Sequence, residues 1–285
     1  IKEANSQPGT QAQRAYARAV YGTHPYGYEP DDTSLQAITP HDLRQFHDRY
    51  LTACRARVSI VGALNRAQAE AAVERLLSLL PSGGSCEALP AVSDVQPLQA
   101  ATERIIALNS AQAHVLMGQP GIARSDPAFF PITVGNYILG GGGFVSRLTE
   151  QVREKRGLSY SVYSYFAPGL HAGAFTVGLQ TRPDQATQAV QVATEVLRQF
   201  VEKGPTEQEL KAAKDNLVGG FALRLDSNRK LLDQLANIGW NRLPLNYLDT
   251  WTDDVQRVTV ADIQAAFRRV LQPDRMVTVI VGGQP

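Results

Sequence analysis

Two polar side chains at a fixed spacing are the first candidates for chemistry in this sequence. Arg153 and Tyr160 are separated by six residues in the stretch REKRGLSY. Gly157 is typical of a helix end, so Arg153 is expected near the end of a helix and Tyr160 at the start of the next strand. There a guanidinium and a phenol could together hold a peptide carbonyl and stabilise its oxyanion. A structural role is also open, with the arginine capping helix carbonyls and the tyrosine packed on a sheet.

Four consecutive glycines, Gly140 to Gly143, come shortly before this pair. A phosphate-binding loop would follow a strand and would carry a G-x-G-x-x-G or Gly-Lys-Ser/Thr pattern. Here the preceding residues are helical in pattern, and Phe144, Val145 and Ser146 follow. The run therefore predicts a turn between two helices, where glycine permits a positive φ and a close approach of backbone.

Other catalytic and metal-binding patterns are absent from the sequence. None of the five histidines forms H-E-x-x-H or H-x-x-E-H, and no serine lies in a G-x-S-x-G setting. Cys54 and Cys86 lack a metal-type spacing; we expect Cys54 to be a small buried residue and Cys86 to lie in a Ser/Gly loop. The sequence predicts no metal site and no complete catalytic apparatus.

Length, net charge and the lack of long apolar runs exclude some classes of protein. The chain has 285 residues, which suggests about two domains. Its net charge of +1 argues against a nucleic-acid-binding surface, which needs a clustered basic excess. No apolar run approaches the roughly 18 residues that span a bilayer.

Hydrophobic periodicity and turn residues predict both helices and strands along the chain. Helices are predicted over Gln11–Val20, after an N-cap at Thr33 or Ser34, after Thr39 and after Asn65, with a strand over ARVSIVGAL. Beyond the Pro/Gly/Ser-rich stretch Pro81–Pro97 we expect two strands, two helices around the glycines and a hairpin at Pro168 and Gly169. Four helices, a short capped helix and a final strand complete the prediction.

Two distant passages match without gaps at a shift of 220. ITPHDLRQFHDRYLTACRARVSIVG aligns with VTVADIQAAFRRVLQPDRMVTVIVG, sharing Thr39/Thr259 and Leu43/Ile263. A capped helix that leads into a buried strand could recur by chance, but an ungapped match over 25 residues favours two copies of one domain. We predict an α+β fold, a duplicated two-layer domain with a mixed β-sheet packed by helices. The later part of a truncated first copy would occupy 1–80, a linker 81–99 and a complete second copy 100–285, with about 120 residues of copy one expected ahead of Ile1.

The segment LGGGGFVSRLTEQVREKRGLSYSVYSYF resembles the pitrilysin/insulin-degrading-enzyme family, the inverzincins, in its mitochondrial-processing-peptidase-like bacterial branch. IKEANSQPG and YGTHPYG resemble the later part of that family's zinc-bearing domain. The resemblance implies paired homologous domains around a chamber. One half binds zinc through H-x-x-E-H and a distal Glu, and the other supplies an Arg/Tyr pair. Arg153 and Tyr160 match that pair, and Gly141, Gly142, Gly143 and Phe144 match the adjoining substrate-binding turn.

By this resemblance the chain is the carboxyl-terminal, non-zinc portion of a zinc metallopeptidase. It would bind extended peptide and hold no cofactor itself, with zinc carried by a missing segment or by a partner subunit of a heterodimer. Glu3 is read as a solvated helix residue and not as a ligand. Two alternatives stay open, a non-catalytic core subunit of a larger complex and a peptide-binding module without hydrolysis. Relatives of this branch are often exported, which gives the expectation of a periplasmic or exported protein.

Overall fold

The computed structural model describes residues 3, 6–81, 86 and 88–283. Its helices are α1 (Pro8–Tyr21), α2 (Asp32–Ala37), α3 (Pro40–Tyr50), α4 (Arg66–Leu77), α5 (Phe129–Asn136), α6 (Ala186–Lys203), α7 (Glu207–Gly219), α8 (Asn228–Asn241), α9 (Tyr247–Arg257) and α10 (Val260–Val270). Its strands are β1 (Thr102–Ile106), β2 (Ala113–Pro120), β3 (Val162–Phe166), β4 (Ala174–Thr181) and β5 (Val277–Val281). A π-helical turn, Tyr137–Gly141, includes the first two residues of the glycine run, and a second, Thr149–Glu154, follows the run.

The five strands form one mixed sheet in the order β1-β5-β2-β4-β3. β1 runs parallel to β5, and the other neighbours are antiparallel. The central strands β2 and β4 are buried along almost their whole length, as expected for strands covered on both faces. The predicted α+β class with a mixed, helix-covered sheet is confirmed, and so is the hairpin at Pro168 and Gly169.

The described residues divide into two compact units. The sheet unit comprises Ile1–Glu29, Val92–Gly219 and Thr250–Pro285, and the helical unit comprises Pro30–Ala91 and Gly220–Asp249. These units do not follow the predicted boundaries at 80 and 100. The division into two repeats stays a prediction, and part of its linker, 82–85 and 87, lies outside the described residues.

Helices cover both faces of the sheet in the sheet unit. On one face, Ala12, Tyr16 and Val20 of α1 pack against Leu116 and the valines of β5, and the Tyr16 hydroxyl donates to the carbonyl of Phe175 at 2.7 Å. Side chains alternate along a strand, so Phe175 points to the opposite face, where its ring neighbours Phe166 at 4.7 Å between centroids. Phe166, Phe200 and Phe267 continue this second layer towards α6 and α10.

The helical unit contains the predicted capped helices but not the predicted strand. Thr39 caps α3 and Asn65 caps α4 through capping boxes. The N-cap of α2 is Asp31, whose carboxylate accepts from the Ser34 amide at 2.7 Å, so the prediction of Thr33 or Ser34 was wrong. An aspartate satisfies the first-turn amides as well as a hydroxyl does, and Ser34 completes the box from the N3 position.

The segment ARVSIVGAL was predicted as a strand, and this was wrong for the structure. Residues 56–64 carry no strand assignment, because no strand of the described residues pairs with them. The matching residues of the second passage form β5, which lies between β1 and β2. Alternating β-branched residues therefore give a strand only where neighbours supply the ladder.

The expectation that Cys54 is a small buried residue was also wrong, whereas Cys86 has no helix or strand assignment, as expected for a loop. Cys54 and Cys86 are exposed and form a disulfide across a separation of 32 residues. Spacing alone does not specify such a pairing, since it depends on the Cα atoms coming within about 7 Å in the fold. Here they lie 6.0 Å apart.

Candidate functional site

Arg153 lies between two aromatic rings. Its guanidinium carbon is 4.7 Å from the ring centroid of Phe144 and 4.8 Å from that of Tyr160, within the range of cation–π contacts. The π-helical turn Thr149–Glu154 presents Arg153, and Tyr160 stands two residues before β3. The structure thus brings together three residues that the sequence singled out.

The polar atoms of the pair make no hydrogen bond or ion pair with any described residue. Tyr160 is 82% exposed and Phe144 is 69% exposed, so the site is an open surface. Tyr160 is therefore not packed on the sheet, which was the alternative reading of its type and position. The planar guanidinium is pre-organised, so it loses little side-chain entropy for each hydrogen bond that it forms.

Gly157 ends the helical segment and sets the path from Arg153 to Tyr160. Its φ of 62° lies in the left-handed region, which glycine adopts without strain. Its amide donates to the carbonyl of Arg153 at 2.8 Å, and the amide of Leu158 donates to the carbonyl of Val152 at 3.0 Å. Leu158 is buried, which fixes the chain two residues before Tyr160.

Gly140 and Gly141 end a π-helical turn, Gly142 and Gly143 lead the chain out of it, and close packing explains three of the four glycines. A Cβ on Gly140 would lie 2.4 Å from the Ser164 hydroxyl oxygen, one on Gly141 2.8 Å from the Asn136 amide nitrogen, and one on Gly142 2.7 Å from the Tyr137 carbonyl oxygen. Gly143 differs, because it has open space around it and a φ of 64°. The predicted turn is therefore found only at Gly142 and Gly143, while close backbone approach applies from Gly140 to Gly142 and a positive φ applies at Gly143.

Arg147 anchors the start of the segment that carries Arg153, and sequence analysis missed it. Its guanidinium donates twice to the Glu209 carboxylate, both at 2.7 Å, and once to the carbonyl of Gly204 at 3.1 Å. The two side chains are only 22% and 31% exposed. Burial raises the pKa of Glu209, but hydrogen bonds from Arg147 and Thr206 outweigh it, so the pKa lies below its ordinary value.

Asn136 ties the end of α5 to the edge strand β3, and it too was not foreseen. Its amide donates to the carbonyl of Ser164 at 3.0 Å, and the Ser164 hydroxyl donates back to its side-chain oxygen at 2.8 Å. An unpaired strand edge is a site for adding another strand. Here Asn136 occupies the carbonyl at the middle of β3, and the glycine turn lies over the Ser164 amide.

The described residues hold no group of three or more His, Cys, Asp or Glu side chains that could bind a metal ion. Glu3 is exposed. The expected distal Glu would precede Ile1 and so lies outside the described residues. Within the described chain we find no helix with the length and apolarity to cross a membrane.

Comparisons with known proteins place the chain in a family. The profile of the peptidase M16 inactive domain matches residues 37–217. An uncharacterized zinc protease of Streptomyces coelicolor is 29% identical over 280 residues, covering 95% of this chain and 60% of the relative. A protein described as the non-peptidase homolog YmxG of Helicobacter pylori is 30% identical, covering 81% of this chain and 52% of the relative. The chain thus spans roughly half to two thirds of these relatives.

The fold has a close counterpart among solved structures. A peptidase M16 inactive domain from Pseudomonas fluorescens superimposes with a TM-score of 0.92 at 35% identity, over 100% of this chain and 67% of that one. A protease from Helicobacter pylori gives a TM-score of 0.88 at 18% identity, over 98% of this chain and 68% of that one. The family expected from the glycine turn and the Arg/Tyr spacing is confirmed: the chain belongs to the pitrilysin-like peptidase M16 family and carries its inactive, carboxyl-terminal domain.

Proposed function

We propose that this chain binds the main chain of an extended peptide and assists its hydrolysis by a zinc-bearing homologous domain or subunit. Arg153 and Tyr160 would donate to the substrate carbonyl and to the oxyanion that forms on it. Phe144 and the turn Gly141–Gly143 would contact the adjoining substrate residues. The proposal assigns the zinc and its ligands to that homologous domain or subunit; the described residues of this chain hold no group of His, Cys, Asp or Glu that could bind it.

The observation that carries this proposal is the pair of uncommitted donors beside one another. Arg153 is stacked against Tyr160, and neither side chain donates to a described residue. A donor aimed at a developing oxyanion contributes about 10²–10³ in rate. Because the site is open in this chain, a facing partner must exclude water for the interaction to reach that strength.

The helical unit supports the need for a partner. Leu43 of α3 is 61% exposed and Trp240 of α8 is 67% exposed, and Leu51, Val58 and Ile60 are also exposed. In this proposal these exposed apolar side chains are the surface that the partner covers. A homologous zinc-bearing domain would bring the strands that residues 56–64 lack.

The test is Tyr160→Phe in the complete assembly with its zinc-bearing part. Peptide turnover should fall by about 10²-fold, while co-sedimentation of the two parts should not change. Tyr28→Phe is the matched control, because Tyr28 is another exposed tyrosine of the sheet unit. Unchanged hydrolysis in Tyr160→Phe would refute the catalytic role. It would favour the structural-subunit alternative if truncating the apolar surface of the helical unit also breaks the assembly.

We further propose that the protein matures in an oxidising compartment, such as the periplasm. The support is the exposed Cys54–Cys86 disulfide, since disulfides persist mainly outside the reducing cytosol. Alkylation of freshly lysed cells without reductant should leave both cysteines unmodified. Two alkylated thiols would contradict an oxidising location.

A further inference from the structure

A second candidate binding site lies where β2 ends, away from Arg153 and Tyr160. It is a cavity of about 360 Å³ in the sheet unit, a size within the usual range for small-molecule pockets. One wall is the segment before β1, and the opposite wall is the end of α10 and the turn after it. Its main lining residues are Val95, Leu98, Gln119, Arg269, Val270 and Arg275.

The walls of this cavity are fixed by their own hydrogen bonds. The buried Gln119 amide donates to the carbonyl of Val270 at 2.8 Å and accepts from the amide of Gln272 at 2.8 Å. Across the cavity, Val95 is buried, and Asp94 beside it meets the His171 ring at 2.9 Å. The cavity is therefore built into the unit, and Gln119 has no N–H donor to spare for an anionic ligand, because its second N–H donates to the carbonyl of Pro120 at 3.2 Å.

The charged residues that line the cavity are all positive. Arg269 and Arg275 contribute guanidinium groups, and no described lining residue is acidic. Arg269 is held by Asp126 at 2.6 Å, whereas the Arg275 side chain makes no hydrogen bond or ion pair with a described residue. Most of the remaining lining is apolar, from valine, leucine, proline and alanine side chains.

We propose that this cavity binds the carboxyl-terminal residue of a peptide that ends in an apolar side chain. Arg275 would take the terminal carboxylate through paired donors, the geometry that arginine offers to carboxylates. The apolar side chain would be buried against Val95, Leu98 and Val270. A phosphate group fits less well, because it needs more donors than one uncommitted arginine supplies. The lining has no His, Cys, Asp or Glu for a cation.

The test is isothermal titration of the whole chain with N-acetyl-leucine, beside N-acetyl-leucinamide and octanoate. We expect binding of N-acetyl-leucine that weakens with salt, with the uncharged amide at least about tenfold weaker. Arg275→Met should weaken the binding of N-acetyl-leucine about tenfold. The affinity of Arg275→Lys should be intermediate between that of Arg275→Met and that of the parent. Arg104→Met, on the exposed strand β1, is the control and should bind like the parent.

Equal binding of the acid and its amide would overturn the proposal, and so would undiminished binding by Arg275→Met. No binding of N-acetyl-leucine at about 10 mM would also overturn it. Binding of octanoate alone would assign the cavity to a free fatty carboxylate and would refute the peptide terminus. Arg275 is exposed, so its variants are expected to fold. None of these outcomes depends on Arg153 and Tyr160.

Discussion

Leu43 and Ile263 stand at the same position of two matching helices, yet Leu43 is 61% exposed and Ile263 is fully buried. Each is the fourth residue after a threonine N-cap, and both caps pair with an aspartate in the same capping box. The local sequence thus forms the same helix twice. Ile263 packs in the helix layer over the sheet, whereas the helical unit has no strand among its described residues.

This contrast predicts unequal effects of one substitution. Ile263→Ala should lower the free energy of unfolding by about 3 kcal/mol, because it removes buried methyl groups and leaves a cavity. Leu43→Ala should change it by about 0.5 kcal/mol or less, as is usual for exposed positions. Urea denaturation of the two variants measures both. If Leu43→Ala lowered the free energy of unfolding as much as Ile263→Ala does, α3 would already be covered in the isolated chain.

The Arg147–Glu209 ion pair should stabilise the start of the segment that carries Arg153. Glu209→Gln removes the charge with little change of shape and should lower the free energy of unfolding by about 2 kcal/mol at pH 7. The exposed pair of Lys211 and Asp215 is the comparison, and Asp215→Asn should cost about 0.5 kcal/mol or less.

The Arg147–Glu209 ion pair should make the free energy of unfolding depend on pH in a defined direction. The pKa of Glu209 is lower in the folded chain than its ordinary value of 4.5, so the unfolded state binds the proton more readily. The stabilisation that the Glu209 carboxylate contributes is then complete above its pKa in the unfolded state. It is lost as pH falls through the pKa of Glu209 in the folded state. The difference in unfolding free energy between parent and Glu209→Gln should therefore shrink below about pH 4.5. A difference that is constant from pH 7 to pH 3 would contradict this assignment.

Gly140 should tolerate no side chain. In Gly140→Ala the new Cβ would meet the Ser164 hydroxyl at 2.4 Å and its amide nitrogen at 2.7 Å, and such overpacking costs about 2 kcal/mol. Gly219→Ala is the control, because that helical glycine has nothing within 4 Å of its added Cβ. Alanine there should be neutral or stabilising by about 0.5 kcal/mol. Thermal melts of the two variants give the comparison, and equal melting temperatures would show that the turn can shift away from β3.

The disulfide should stabilise the helical unit specifically. Replacing both Cys54 and Cys86 by serine should lower its stability by about 3 kcal/mol, since the cross-link no longer restricts the unfolded chain. Hydrogen exchange would locate the effect, with faster exchange in α3 and α4 and unchanged protection in β2 and β4. Faster exchange spread evenly over both units would refute a local role.

Much of the candidate site could be predicted because its signals are local. The glycine positions, the helical pattern and the Arg/Tyr spacing are each contained within a few residues of sequence. They therefore indicate the turn and the approach of Arg153 to Tyr160. Arg147 with Glu209, and Asn136 with Ser164, could not be found this way. Their partners lie 62 and 28 residues apart, and a lone arginine or asparagine in a helix carries no sign of its partner.

The sequence by itself determined the capped helices, the buried strands and the family, since these depend on short-range periodicity and on motif residues. The tertiary structure alone decided which of two matching strand segments became a strand and whether the two cysteines paired. It also decided which of two equivalent helix faces was buried. The physical reason is the same in each case: hydrogen-bond ladders, disulfides and apolar burial need a second segment, and its position is set by the whole fold.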